Sequence, residues 1–205
     1  MRIHEPLDKI LNQETKIKII RFLFNTHAEW SGRQIAKEIN ISPATCHKAL
    51  QNLYAEKILL LKSAGVTHLY RLNDSNYIVK NILAELFEKE KSIPKILNKI
   101  LVKAINRKLK GKIVSVVLFG SVAKRKEKPL SDIDIMIVTK RPADRRAIEH
   151  ILDTVNDKTI ELFNSRIEPY ILTAADLKKK SKLAIIKEIS KTGKLLSGKP
   201  LAELL

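Results

Sequence analysis

The sequence is poor in the residues that form disulfides and zinc sites. Its one cysteine, Cys46, can form no disulfide within the chain, and no Cys-x-x-Cys pair is present to bind zinc. The five histidines, at positions 4, 27, 47, 68 and 150, follow no familiar ligand spacing. We therefore exclude a disulfide-rich scaffold and a zinc domain.

Long apolar runs are also missing. The longest, such as Val114–Phe119, are far shorter than the roughly 20 residues that a membrane helix needs. Met1–Ile10 contains charges and Pro6 instead of the apolar stretch of a signal peptide. The 44% of hydrophobic and 30% of charged residues are typical of a globular protein. We expect a cytoplasmic chain, and 205 residues suit two small domains.

Negative charge is scarce relative to positive charge. The chain has 39 Lys and Arg against 22 Asp and Glu, a net charge of +17. Residues 1–73 carry a net +5 and residues 74–205 a net +12, so the surplus is not confined to one half. Such a surplus favours polyanionic partners such as nucleic acid, nucleotides or acidic proteins. Solubility alone would explain it equally well.

The order of elements in the first 72 residues is typical of a winged helix. Apolar periodicity predicts a helix over Leu7–Phe24, followed by a second helix that Ser31 could cap. Ser42–Pro43 is a strong start signal for a third helix, predicted to reach Glu56. Two β-prone runs around Gly65 then predict a hairpin. The short turn between the second and third helices is that of a helix–turn–helix.

This layout resembles that of MarR- or ArsR-like winged-helix regulators. The resemblance implies double-stranded DNA as a partner and a homodimer, with residues 77–109 as a candidate interface. The third helix would be the recognition helix, and Lys62 and His68 of the hairpin could touch phosphates. The alternative is that its outward residues form only a solvated helix face. The candidate DNA-binding residues are Ala44, Thr45, His47, Lys48, Gln51 and Asn52.

The rest of the chain alternates helices with strands. Ile113–Phe119 is a continuous apolar run, which is typical of a buried central strand. Residues from Gly193 on are expected to be loosely ordered. The other predicted elements are helices over 77–91 and 92–109, a strand over 132–138, a helix over 144–163, a strand over 166–172 and a helix over 173–192.

One pair of motifs points to chemistry. Gly120–Ser121 follows the buried strand, where a glycine lets a phosphate approach the backbone. Asp132 and Asp134 are two apart in a strand, so both should point to the same side, while Ile133 points into the core. Two adjacent carboxylates repel each other unless a cation such as Mg²⁺ lies between them. The Asp-x-Asp alone would fit a solvated edge equally well, but the Gly-Ser partner would then be unexplained.

These residues resemble the hG[GS]…Dh[DE]h signature of the DNA polymerase β-like nucleotidyltransferase superfamily, in its minimal nucleotidyltransferase branch. The resemblance covers about residues 92–190. It implies a metal site of Asp132, Asp134 and a third carboxylate that activates an acceptor hydroxyl. Glu168 is the only acid in the third predicted strand of this part, although a surface glutamate there is an equal alternative. Glu161, on a predicted helix, is the reserve candidate.

The resemblance also implies a nucleoside triphosphate as substrate, with ATP expected, and Mg²⁺ as cofactor. Gly120, Ser121, Lys124, Arg125 and Lys126 are the candidate nucleotide-binding residues. The loop after Gly-Ser lacks a glycine that the family commonly has. Pro169 beside the candidate third carboxylate suggests either that its strand lies at the edge of the sheet or that the third position of the site is imperfect.

The expected protein is α+β. We expect a winged-helix DNA-binding domain over residues 1–74, a helical linker over 75–91 and a nucleotidyltransferase-like domain with a small mixed sheet over 92–205. The function expected is transfer of a nucleoside monophosphate to an acceptor hydroxyl, which could belong to a protein, an RNA or a small molecule. The alternatives are a regulator that senses nucleotide without turnover and an adaptor that uses both domains for protein contacts.

Overall fold

A computed structural model describes residues 3–108 and 111–205. It confirms the expected α+β class, with a winged helix–turn–helix and an α/β part that contains a small mixed sheet. The chain divides into two compact units, Met1–Ile93 and Pro94–Leu205. None of the described helices is both long enough and apolar enough to cross a bilayer.

The first unit packs its helices on a three-stranded antiparallel sheet in the order β1–β3–β2. Its core includes Ile20, Ile35 and Leu50, all fully buried. The elements are α1 Leu7–Ile10, α2 Glu14–Thr26, β1 Trp30–Ser31, α3 Gly32–Glu38, α4 Pro43–Ala55, β2 Leu59–Ala64 and β3 Thr67–Leu72.

The caps read from the sequence are present in this unit. Ser31 forms a capping box with Gln34 at the start of α3. Ser42 Oγ accepts from Thr45 N (3.1 Å) at the start of α4, where Pro43 is the first residue. The hairpin turns at Gly65, whose φ of +60° suits glycine.

The single helix predicted over Leu7–Phe24 is wrong, because α1 and α2 are separated at residues 11–13. Lys16 explains the break. This residue is only 4% exposed. Its ammonium group donates to Lys9 O (2.7 Å) and to Asn12 Oδ1 (3.1 Å). Lys9 in α1 and Asn12 in the segment after it therefore supply the acceptors that a buried cation requires.

We expect Ser42→Ala to lower the stability of the first unit by about 1 kcal/mol, because Thr45 N loses its acceptor. Trp30, the only tryptophan, lies in this unit, so its fluorescence during urea unfolding reports the change. Ser75→Ala is the matched control, since that exposed serine caps no helix. Equal stability of the two variants would show that the cap contributes nothing.

Most of residues 75–91, the predicted linker, is helical. Residues Val79–Leu83 form a π-helical turn that leads into α5, Ala84–Lys108, and Phe87 belongs to the core of the first unit. The prediction of two helices that meet at Ser92–Pro94 is wrong. Ser92 Oγ donates to Lys89 O (2.7 Å) within the helix instead of capping a new one. The predicted end at position 109 lies outside the described residues.

The second unit has a four-stranded sheet in the order β6–β5–β4–β7, in which only β5 and β6 are parallel. The central strand β4 and the edge strand β6 are therefore confirmed. The elements after α5 are β4 Ile113–Leu118, α6 Gly120–Ala123, β5 Ile133–Thr139, α7 Arg145–Phe163, β6 Ile167–Thr173, α8 Ala174–Lys179, α9 Ala184–Thr192 and β7 Lys194–Gly198.

Helices cover both faces of this sheet. On one face, Ile133 and Ile135 pack with the Pro94–Lys108 part of α5 and with α7. On the other face, Met136 and Val138 pack with α8 and α9. This arrangement buries β5 almost completely, which explains its apolar character apart from Asp134 and the terminal Thr139.

Two expectations for the second unit are wrong. The tail is not loose, because β7 pairs with β4 and its Gly198 lies so close to Val114 that a side chain would overlap the backbone there. The last helix is two helices, α8 and α9, which a turn over 180–183 separates.

Candidate active site

Three carboxylates lie at one end of the β5–β6 pair. Asp134 is the second residue of β5 and Asp132 directly precedes the strand. Glu168 is the register partner of Asp134 on the parallel strand β6. Register partners on adjacent strands project to the same face, so the side chains of Asp134 and Glu168 are neighbours. The expectation that Ile133 points into the core is confirmed by its 2% exposure.

Local hydrogen bonds fix these positions. The turn before Asp132 is closed by Ser131 N to Lys128 O (3.0 Å) and Lys128 N to Ser131 Oγ (2.9 Å). At the start of β6, Ile167 N donates to Asn156 Oδ1 on α7 (3.0 Å). The carboxylates therefore stand on anchored backbone rather than on a free loop.

The Gly-Ser turn meets the aspartate pair. Phe119 N donates to Asp134 O (2.9 Å), and Gly120 follows with a φ of +70°. A Cβ on Gly120 would overlap Oδ2 of Asp134. Glycine is needed here for two reasons, the left-handed backbone and the contact with the carboxylate. The turn and Asp134, which are separated along the chain, are thus in direct contact.

The carboxylates also interact electrostatically. Partial burial raises the pKa of Asp134, and the negative charges of Asp132 and then Glu168 raise it further. Each of the other two acids is therefore close enough to disfavour ionisation of Asp134. A divalent cation would relieve this repulsion.

The donor set fits Mg²⁺ delivered with a nucleotide better than a metal enclosed by protein. Among the described residues, no three His, Cys, Asp or Glu side chains form a ready metal cage. Mg²⁺ is typically held by one or two carboxylates, with phosphate oxygens and water completing its octahedron. Asp132, exposed, and Asp134, half-buried, offer oxygen atoms of this kind.

We expect Asp134→Asn to stabilise the metal-free protein at pH 7. A raised folded-state pKa means that the ionised form is disfavoured by folding, so stability falls as pH rises from near 4 through that pKa. The asparagine variant has no charge at this position and therefore does not lose this stability. Calorimetric unfolding in EDTA should show a higher Tm than wild type at pH 7 and a smaller difference near pH 4. A lower Tm for the variant than for wild type at pH 7 would contradict the inferred repulsion between Asp134 and the other two carboxylates.

The three cations predicted to bind the nucleotide have different surroundings. Lys124 is paired with Glu188 on α9, a residue that no motif singled out. Arg125 is exposed with a φ of +56°, and Lys126 is exposed with its N–H bonded to Ser121 O (2.9 Å). Arg125 and Lys126 therefore extend into solvent near the turn, whereas Lys124 has an acidic partner.

Glu161 lies on the exposed side of α7, and no described contact links it to the aspartates. Of the two candidate third carboxylates, Glu168 alone is in register with Asp134. Leu130, which the sequence did not single out, is exposed and has a φ of +67° two residues before Asp132.

The candidate DNA-binding residues share one exposed face of α4. Buried Cys46, Leu50 and Leu53 hold the opposite face of the helix in the core. In the wing, Lys62 pairs with Glu29 at 3.6 Å on the surface. The exposed candidates are Ala44, Thr45, His47, Lys48, Gln51 and Asn52.

A known protein family has a sequence pattern that matches the second unit. The family described as "Polymerase beta, Nucleotidyltransferase" matches residues 98–200, half of the chain. The chain belongs to the polymerase beta nucleotidyltransferase family. The matched nucleotidyltransferase segment contains Gly120, Asp132, Asp134 and Glu168, and it lies outside the winged-helix unit.

Solved structures resemble parts of this nucleotidyltransferase chain only weakly. A homodimeric winged helix–turn–helix DNA-binding domain from Mycobacterium bovis, a possible ArsR-family transcriptional regulator, is 20% identical over 44% of this chain and 76% of that chain (TM-score 0.34). A toxin–antitoxin structure with AMP-PNP is 18% identical over 52% and 77% (TM-score 0.37). A protein from Archaeoglobus fulgidus is 18% identical over 44% and 96% (TM-score 0.33). Such scores establish neither a shared fold nor a shared function. No curated protein matches the chain.

Proposed function

We propose that this protein binds duplex DNA through its first unit and transfers a nucleoside monophosphate from a nucleoside triphosphate to an acceptor hydroxyl in its second unit. The observation that carries the catalytic part is the junction of Gly120 with Asp134, flanked by Asp132 and Glu168. ATP is the proposed substrate and Mg²⁺ the proposed cofactor. A homodimer is proposed by analogy with winged-helix regulators.

The aspartates, the Gly-Ser turn and the loop after it have separate tasks in binding. Asp132 and Asp134 would hold Mg²⁺, which when bound neutralises and orients the triphosphate. Gly120 allows the phosphates to approach the backbone, and Ser121 adds a hydroxyl donor. Arg125 and Lys126 would balance the charge of the departing pyrophosphate.

Glu168 would act on the acceptor. It is exposed, and an incoming hydroxyl can therefore reach it. The carboxylate takes the proton of the acceptor hydroxyl as the oxygen attacks the α-phosphorus. The bond between the α-phosphorus and the bridging oxygen breaks, and pyrophosphate leaves with the electron pair. The products are the nucleotidylated acceptor and pyrophosphate.

The direct test is incubation of the full chain with Mg²⁺ and each of the four α-labelled triphosphates, with and without cell extract. We expect label to be transferred to an extract component, and the transfer to be lost in Asp132→Asn and in Asp134→Asn. Transfer that both variants retain at the wild-type rate would refute the proposed site.

One contact favours the alternative of a nucleotide sensor. The pairing of Lys124 with Glu188 leaves fewer cations to stabilise the leaving pyrophosphate. Mg²⁺-dependent nucleotide binding without any transfer in the same assay would identify a sensor. An absence of both binding and transfer would leave only an adaptor function.

DNA binding is proposed from the exposed face of α4. His47 and Lys48 project from its N-terminal half, where a recognition helix enters the major groove. We expect Lys48→Gln to weaken binding to non-specific duplex DNA and to reduce the salt slope by about 1, because one phosphate contact is lost. The matched control is Lys80→Gln, an exposed lysine of the same unit outside α4. Equal effects of both variants would point to bulk charge instead of this helix.

A further inference from the structure

A cavity of about 490 Å³ lies between α5 and α7 in the second unit. Its volume is within the range of roughly 300–1,000 Å³ typical of small-molecule sites. Four apolar side chains form its floor, two from each helix, and polar residues stand at its rim. The lining residues are Lys99, Ile100, Lys103, Ala104, Ile151, Thr154, Val155 and Lys158.

The cavity is separate from the carboxylate site. Ile151 and Val155 belong to the core on the sheet face that carries Ile133 and Ile135. Asp134 projects from the opposite face of β5, the side of Met136. The sheet itself therefore lies between the cavity and the proposed active site, and the nucleotide proposed there cannot occupy both.

Three cations surround the opening without acidic partners. Lys99, Lys103 and Lys158 are exposed, and none forms an ion pair or a side-chain hydrogen bond with any residue that the structure describes. On α5 the two lysines have no acidic residue near them in the sequence, because no Asp or Glu occurs between Glu90 and Glu127. The positions one turn from Lys99 and Lys103 on this helix therefore hold no carboxylate to pair with them.

We propose that this cavity binds a small amphiphilic anion, an aromatic or short alkyl compound with one carboxylate or similar acidic group. The apolar floor would take the body of the ligand, and the lysine rim would take its charge. Thr154 supplies a hydroxyl at the same rim. The positive charge at the opening complements the acidic group of such a ligand, and the apolar floor complements its apolar part.

The limited length of the cavity along both helices favours a small molecule over an acidic partner helix. A docked helix needs a row of anchor positions along a groove, at spacings of three, four and seven residues. Here the lining spans only residues 99–104 of α5 and 151–158 of α7, no more than about two turns of either helix. The two helices thus form a single pocket instead of an extended groove.

The test is calorimetric titration of the full chain with 2-naphthoate, with the neutral 2-naphthamide as the matched ligand. We expect saturable binding of one naphthoate per chain and at least about tenfold weaker binding of the amide, because charge-assisted hydrogen bonds are lost. The triple variant Lys99→Gln/Lys103→Gln/Lys158→Gln should weaken naphthoate binding by a similar factor. The triple variant Lys182→Gln/Lys191→Gln/Lys199→Gln removes the same charge from exposed sites elsewhere in the unit and should bind like wild type.

Ala104→Leu gives a second measurement, since a larger side chain would fill the floor and abolish binding in a protein that still melts cooperatively. Three results would overturn the proposal: no binding of naphthoate, equal binding of the amide, or equal binding by the rim variant. Saturable binding of an acidic helical peptide in place of naphthoate would show a protein-docking surface instead.

Discussion

Glu168→Gln is expected to slow nucleotidyl transfer by about 10²–10⁴-fold, the contribution typical of a general base. Glutamine keeps the shape of the side chain but cannot accept the proton of the acceptor hydroxyl. Mg²⁺-dependent binding of the triphosphate should change little, because Asp132 and Asp134 remain. Transfer of label to the acceptor that wild type modifies measures the rate, and calorimetric titration with a non-hydrolysable triphosphate measures binding.

Glu161→Gln is the matched control. Glu161 is also an exposed glutamate of the second unit, but it lies on α7, away from the register of Asp134. We expect its variant to transfer at the wild-type rate. A large loss in Glu161→Gln with none in Glu168→Gln would reverse the assignment of the third carboxylate. Equal rates in wild type and both variants would remove the general-base role altogether.

Local chemistry explains which elements could be predicted from the sequence. The start of α4 was predictable because Ser42 and Pro43 act within one turn of the helix they begin. The continuous apolar run of β4 predicted a strand covered on both faces, and the structure places β4 inside the sheet. Signals of this kind need no knowledge of distant partners.

Elements that depend on distant pairing were missed. β1 has only the two residues Trp30 and Ser31, and it is a strand only because β3 offers backbone partners. β7 likewise depends on the free side of β4, and its short Leu195–Leu196 run gives no distinct periodic pattern. The break between α1 and α2 depends on the burial of Lys16, which no local rule anticipates for a lysine.

The candidate site, like the fold, was predictable where it depends on local spacing and not where it depends on distant residues. The two-residue spacing predicted that the side chains of Asp132 and Asp134 point to one side, although the strand itself begins at Ile133. Glu168 was selected as the only acid in its predicted strand, but its pairing with Asp134 is a matter of β5–β6 register. The partner of Lys124, Glu188, comes from another helix and could not be inferred from spacing.

Gly120→Ala is expected to abolish measurable transfer, because the new Cβ would occupy the space of the Asp134 carboxylate. Moving that carboxylate removes a proposed metal ligand and separates it from Asp132. The left-handed backbone at Gly120 adds a folding cost on the order of 1–3 kcal/mol for a residue with a side chain. Transfer assays and calorimetric unfolding measure the two losses separately.

Gly111→Ala separates strain from the clash. Gly111 has a φ of +80° in the same unit, but a Cβ there would meet nothing within 4 Å. Its variant should lose some stability and keep wild-type transfer. The double variant Gly120→Ala/Asp134→Ala should regain part of the stability lost in Gly120→Ala, because the overlap is removed, but should regain no transfer. Wild-type transfer by Gly120→Ala would mean that the turn and the aspartate do not touch in solution, and the proposed triphosphate site would fail with it.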